Sequence, residues 1–152
     1  MIATFCGHRE VYVKDVYENV YMIIKDLIEN KGVDTFYSGN MGEFDKLCEK
    51  EVMSLKTKYD IKLYWISPYF SVKMNKEKEE FERLYDEIII PDLGRVHYKA
   101  AILKRNFCMV DKSDYIVSYV YREFGGAWKT LKYAEKAGKT IISSDCFQSD
   151  DI

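Results

Sequence analysis

Short β-forming runs that end in turn residues alternate with longer segments whose apolar residues recur every three or four positions, and the alternation continues along nearly all of the 152-residue chain. A first apolar run over 1–6 ends at Gly7, which reads as a strand meeting a turn. Over 14–30, Tyr17, Val20, Tyr21, Ile24, Leu27 and Ile28 form one helical face, with Gly32 as a stop signal. A short strand over 35–37 follows, and Phe44, Leu47, Cys48, Val52 and Leu55 then continue at helical spacing to about Lys58. The same reading predicts strands over 61–66, 87–90, 115–120 and 140–142, and helices over 77–84, 99–112 and 126–137. Strand, helix, strand, repeated about five times, is the pattern of an α/β fold with a mostly parallel sheet, and right-handed crossovers place helices on both faces. The expected architecture is a single-domain, three-layer Rossmann-like fold over 1–144. Residues 145–152, with Asp145, Asp150 and Asp151, read as a frayed acidic end.

Charge and composition exclude several functions. Lys and Arg number 23 against 25 Asp and Glu, a formal charge of −2, which gives no global electrostatic reason to bind a nucleic-acid backbone. The mixed-sign run over 73–80 reads as a solvated helix face. The longest aliphatic run is Ile88, Ile89 and Ile90, far short of the roughly 20 residues a membrane span needs. Cys6, Gly7, His8 and Arg9 interrupt the first apolar run, so no signal segment is expected and a cytoplasmic protein is the default. Cys6, Cys48, Cys108 and Cys146 contain no C-x-x-C pair and read as reduced, buried thiols. With His8 and His97 the only histidines, no metal site and no cofactor are expected.

In open parallel sheets ligands bind outside the carboxyl ends of the strands, and the glycines concentrate there. Gly7 follows the first strand, Gly39 and Gly42 the second, Gly125 and Gly126 the fifth. Glycine permits close backbone approach, and a helix starting just beyond offers free N–H groups and a positive dipole end to an anion. Two such helix starts point to an anionic small molecule, although tight strand-to-helix turns need glycine anyway. Arg9 has the forked donor geometry that suits phosphate or carboxylate, with a surface ion pair as the alternative. His8 suits either ribose hydrogen bonding and acid/base work or turn packing. Tyr69, Phe70 and Trp128 lie near strand ends, where base stacking competes with core packing; core packing is favoured for Phe70.

Three segments carry a resemblance. Thr4-Phe5-Cys6-Gly7-His8-Arg9 is one, and Ser38-Gly39-Asn40-Met41-Gly42-Glu43-Phe44-Asp45 is the second. The third runs from Arg105-Asn106-Phe107-Cys108-Met109 through Ser113 and Asp114 to Gly125-Gly126-Ala127-Trp128-Lys129-Thr130. In this order they resemble the SLOG superfamily, which includes DNA-processing protein A and the LOG phosphoribohydrolases, and more narrowly its small bacterial DUF1273-type proteins. The resemblance implies a pocket for a nucleotide-derived ligand. Gly125 and Gly126 would hold its phosphate, with Thr130 adding a hydroxyl. Ser38, Gly39 and Gly42 would face them, with Gly7, His8 and Arg9 at the rim. It also implies ligand or ribose contact for Asp45 and a site role for Arg105, which with Met109 matches the R-x-x-x-M segment of LOG enzymes. The LOG pattern P-G-G-x-G-T followed by glutamates is not kept. No proline precedes Gly125, Trp128 stands where the next glycine would be, and Leu131 and Lys132 stand in place of the glutamates. Glycosidic cleavage usually relies on carboxylates. The expected function is therefore binding of a nucleotide or ADP-ribose-related molecule as a sensor or sequestering module; the alternative is a LOG-like hydrolase of an N-glycosidic bond. DNA ranks low as a partner, no membrane partner is expected, and a homodimer is plausible from the tyrosine-rich helix faces.

Overall fold

A strand with apolar residues on both faces belongs inside a sheet covered on both sides, and Ala3, Thr4, Phe5 and Cys6 of β1 (Ile2–Gly7) are all buried. The computed structural model describes residues 1–145 and places β1 within a six-stranded parallel sheet of order β4-β3-β2-β1-β5-β6. The other strands are β2 (Thr35–Ser38), β3 (Lys62–Ile66), β4 (Glu87–Ile89), β5 (Tyr115–Tyr119) and β6 (Thr140–Ser143). The helices are α1 (Asp15–Lys31), α2 (Glu43–Leu55), α3 (Val72–Lys76), α4 (Lys78–Leu84), α5 (Tyr98–Lys112) and α6 (Gly126–Lys136).

Alternation along the strands produces the three layers. Ala3 and Phe5 of β1, with Val117 and Tyr119 of β5, join the main core beneath α1 and α2. Cys6 and Ile116 point the other way and pack with Val110 of α5 and Ala134 of α6. The chain steps outward from β1 to β4, then returns through α5 to the other side of β1. The carboxyl ends of β1 and β5 therefore form the sheet's switch point, where the connections on either side diverge and leave a crevice.

The α/β, Rossmann-like, parallel-sheet expectation holds, with differences in detail. The helix expected over 77–84 is preceded by a separate helix, α3, because the backbone breaks from helical geometry at Glu77 (φ −111°, ψ 26°). Phe70, expected in the core, is 62% exposed, because it lies in the loop after β3, beyond the reach of either core layer. Tyr69 is exposed as well. Trp128 is half-buried, with the Lys132 ammonium 5.8 Å from its ring centre. Cys6 and Cys48 are buried free thiols and Cys108 is half-buried; Cys146 and all but Asp145 of the acidic end lie outside the described residues. Among the described residues no helix is long and apolar enough to cross a membrane, and no cluster of His, Cys, Asp and Glu has the makings of a metal site.

Candidate functional site

At the switch point lies a cleft of about 170 Å³. Phe5, Cys6, Gly7, His8 and Arg9 line it from the end of β1, Met41 and Asp45 from the start of α2, and Arg122 from the loop after β5. Ile102, Arg105, Asn106 and Met109 of α5 and Gly126, Ala127 and Thr130 of α6 complete it. Of the residues singled out in the sequence, Gly7, His8, Arg9, Asp45, Arg105, Gly126 and Thr130 are brought together here. Ser38, Gly39, Gly42 and Gly125 do not line the cleft.

Those four serve the walls. Gly42 has φ +94°, and a Cβ on it would lie 2.6 Å from the Cα of Arg9, so only glycine lets the two loops touch. The Glu43 N–H donates to the Arg9 carbonyl (2.8 Å), and the Met41 N–H donates to the Asp45 carboxylate (3.0 Å). The first N–H of α2 is thereby taken, and Glu43 and Asp45 put two carboxylates in its first turn. Ser38 donates its hydroxyl proton to Glu49 (2.6 Å) and accepts from the Asn40 N–H (3.0 Å). The Gly39 carbonyl accepts from Arg105 Nη1 (3.1 Å), as does the Ile66 carbonyl (2.8 Å). Gly7 does line the cleft and is also sterically required, since a Cβ there would sit 2.1 Å from Cδ1 of Phe44.

The start of α6 differs. Gly125, at φ +91°, is its N-cap and supplies no side-chain cap, and a Cβ on Gly126 would meet only open space. No acidic side chain stands in its first turn, so the first N–H groups and the dipole end are free to meet an anion. Thr130 donates its proton to the Gly126 carbonyl (2.7 Å), so toward the cleft its oxygen offers lone pairs rather than the donor a phosphate would need. Cys6 donates to the Ala127 carbonyl (3.3 Å), and burial followed by the Asp45 charge pushes its thiol up to about 12. That thiol is no nucleophile at neutral pH.

Electrostatically the cleft is defined by three guanidinium groups and one carboxyl. Arg105 is fully buried and held by the two carbonyls and by Asn106 Oδ1 (2.8 Å from Nε). Arg9 is exposed, with Nη2 3.3 Å from Met41 Sδ. Arg122 leans over the rings of Tyr121 and Phe124. Among the described residues none of the three meets a carboxylate at ion-pair distance. Burial pushes Asp45 up to about 7, against the opposing pull of the Met41 N–H and the Arg105 charge. His8 is 3% exposed, and its Nε2 has no hydrogen-bond partner. Burial and then the Arg122 charge lower its pKa, so it is neutral near pH 7. A site with surplus fixed positive charge, an open helix N-terminus and a neutral unpartnered imidazole is built for an anion bearing further polar groups.

Arg122 was not legible from sequence: in Tyr121-Arg122-Glu123-Phe124 nothing distinguishes it from an ordinary charged loop. Glu49 was missed for another reason. Helical spacing from Asp45 would have placed it one turn along the same face, but only the fold brings Ser38 and Tyr85 (2.9 Å) to its carboxylate.

No protein-family model matches the chain, and no curated protein matches it in sequence. Solved structures do. DNA processing protein A of Streptococcus pneumoniae superposes with TM-score 0.65 at 14% identity, over 93% of this chain and 49% of that one. The Helicobacter pylori protein of the same name, described as binding single-stranded DNA, superposes with TM-score 0.65 at 17% identity, over 94% and 64%. The molybdenum cofactor binding protein of Rippkaea orientalis superposes with TM-score 0.59 at 20% identity, over 93% and 74%. The chain thus spans about half to two thirds of the DNA processing proteins. The likeness is one of fold alone, a Rossmann-like α/β fold.

Proposed function

We propose that the cleft binds a phosphate-bearing, nucleotide-derived small molecule, an intact nucleotide or an ADP-ribose-related compound, and that the protein acts as its sensor or sequestering module. The observation that carries this reading is that Arg9, Arg105 and Arg122 line one cleft with the open start of α6, and none of the three has a carboxylate at ion-pair distance among the described residues. In this reading α6 and Arg122 take the phosphate, Arg105 supplies buried positive charge, and His8 and Asp45 read hydroxyl groups. The order of the three motifs supports membership of the DUF1273-type branch. The cofactor bound by the Rippkaea protein and the single-stranded DNA bound by the Helicobacter protein show only what that fold accommodates elsewhere.

One observation favours a second reading. Among the described residues Asp45 is the only carboxylic side chain lining the cleft, and with its carboxyl pushed up to about 7 it is poised as a general acid for an N-glycosidic bond. Equilibrium dialysis against nucleotides, cyclic nucleotides, ADP-ribose derivatives and a short single-stranded oligonucleotide, with mass spectrometry of both chambers, separates the readings. Enrichment of an intact small molecule, lost in Arg122→Ala, is the expected result. Free base or ribose phosphate would make the protein a hydrolase. Retention of the oligonucleotide alone, or of nothing, would overturn the small-molecule reading.

A further inference from the structure

Three aromatic rings stand in water beside the cleft: Tyr12 is 71% exposed, Phe124 64% and Tyr121 39%. Single exposed aromatics are ordinary, but a contiguous group at the rim of a pocket marks a contact surface. Tyr121 stands edge-on to His8 (4.4 Å between ring centres) and to Tyr12 (5.5 Å). The guanidinium of Arg122 lies 5.5 Å from the centre of the Tyr121 ring and 4.9 Å from that of Phe124. His8 and Arg122 both line the cleft, so the aromatic group is continuous with it. The group is also anchored: the Tyr12 N–H donates to the Tyr119 hydroxyl (3.1 Å), and the Tyr12 hydroxyl donates to Glu10.

Flat rings interleaved with a planar guanidinium offer π-faces to another flat ring, and such stacking depends little on the identity of the base. We propose that Tyr12, Tyr121, Phe124 and Arg122 form a stacking subsite for a planar heteroaromatic ring, so that the ligand joins a phosphate to such a ring and is not a bare sugar phosphate. This rests on the nucleotide-binding reading of the adjoining cleft and assigns the residues that take the ligand's base. Among the described residues Phe124 stacks on no other ring and is met only by the Arg122 guanidinium, so ring recognition is separable there from packing.

The test is calorimetric titration of the full chain with AMP and with ribose 5-phosphate, repeated for Phe124→Leu and Phe124→Trp. The expected result is AMP tighter than ribose 5-phosphate by about 5- to 150-fold, the range that base–aromatic stacking supplies. That ratio should shrink toward one in Phe124→Leu and persist in Phe124→Trp. Equal affinities in the parent protein would overturn the subsite while leaving the anion cleft standing. A ratio unmoved by Phe124→Leu would overturn it too. Failure of both compounds to bind would remove the cleft reading and the subsite with it.

Discussion

The carboxyl of Asp45 lies almost out of water, with no guanidinium at ion-pair distance, and this sets its response to pH. Because the folded protein holds this proton up to about pH 7 and the unfolded chain releases it in the ordinary carboxylate range, the folded state carries more protons between those limits. Its contribution therefore lowers stability as pH rises across that window and is constant above it. Asp45→Asn removes the loss: melting curves from pH 5 to 9 should show the variant gaining on the parent as pH rises, with the difference levelling off above pH 7. Anion affinity follows the same proton. Protonated Asp45 leaves the arginines uncompensated, so the ratio of phosphate affinity in the parent to that in Asp45→Asn should rise several-fold from pH 8 to 6, the ligand's own second ionisation cancelling between the two proteins. A ratio that does not change with pH would show that Asp45 does not face the anion. The arginines divide by burial. Arg105→Met strips a donor from the Gly39 and Ile66 carbonyls and should cost about 3 kcal/mol or more in urea unfolding. Arg122→Ala, exposed and held only by ring contacts, should stay within about 0.5 kcal/mol of the parent yet lose phosphate binding.

At the scale of elements, the two glycine-marked helix starts have separate uses. The start of α2 has its first N–H taken by the Arg9 carbonyl and two carboxylates, Glu43 and Asp45, in its first turn, while that of α6 has no acidic side chain in its first turn. Gly126→Asp places a carboxylate at the first position of α6, where a Cβ meets nothing and the dipole favours negative charge. The variant should melt at the parent temperature or slightly above it and lose most of its phosphate affinity, because the new carboxylate takes the anion's place. A variant that binds phosphate as the parent does would move the anion away from α6. Periodicity made both helices legible, since Phe44, Leu47, Cys48, Val52 and Leu55 are all buried in α2. The difference between their N-termini was not legible. Gly39 to Gly42 and Gly125 to Gly126 present the same residue type, and what separates them is the Arg9 backbone arriving from another loop. The split between α3 and α4 escaped notice for a related reason: Lys76, Glu77 and Lys78 are all acceptable in a helix, and the break at Glu77 is a backbone event.

For the whole molecule, the strand order draws residues distant in sequence to one crevice. Gly7 to Arg9, Met41 to Asp45, Arg105 and Arg122 to Thr130 come from four segments, and only the return of the chain through α5 to the far side of β1 makes them neighbours. The sequence reading singled out Arg9 and Asp45 from short motifs at a strand end and a helix start, and Arg105, in the middle of α5, only from its match to the R-x-x-x-M segment; Arg122 and the exposed rings needed the topology. A ligand there ties together the ends of β1 and β5 and the starts of α2 and α6, so its stabilisation should be local in pattern as well as global in amount. Hydrogen–deuterium exchange with AMP at saturating concentration should slow at 7–12, 41–45 and 122–130. The opposite edge provides the contrast. A second hollow of about 340 Å³, walled by Pro68, Tyr69, Pro91, Asp92, Leu93, Gly94, Val96, Tyr98 and Ala101, lies beyond β3 and β4 and has no arginine in its lining. Exchange over 87–98 should not change. Protection confined to that edge would relocate the binding site to the second hollow, where nothing offers a fixed positive charge to a phosphate, and the ligand would then have to be recognised by its apolar surface.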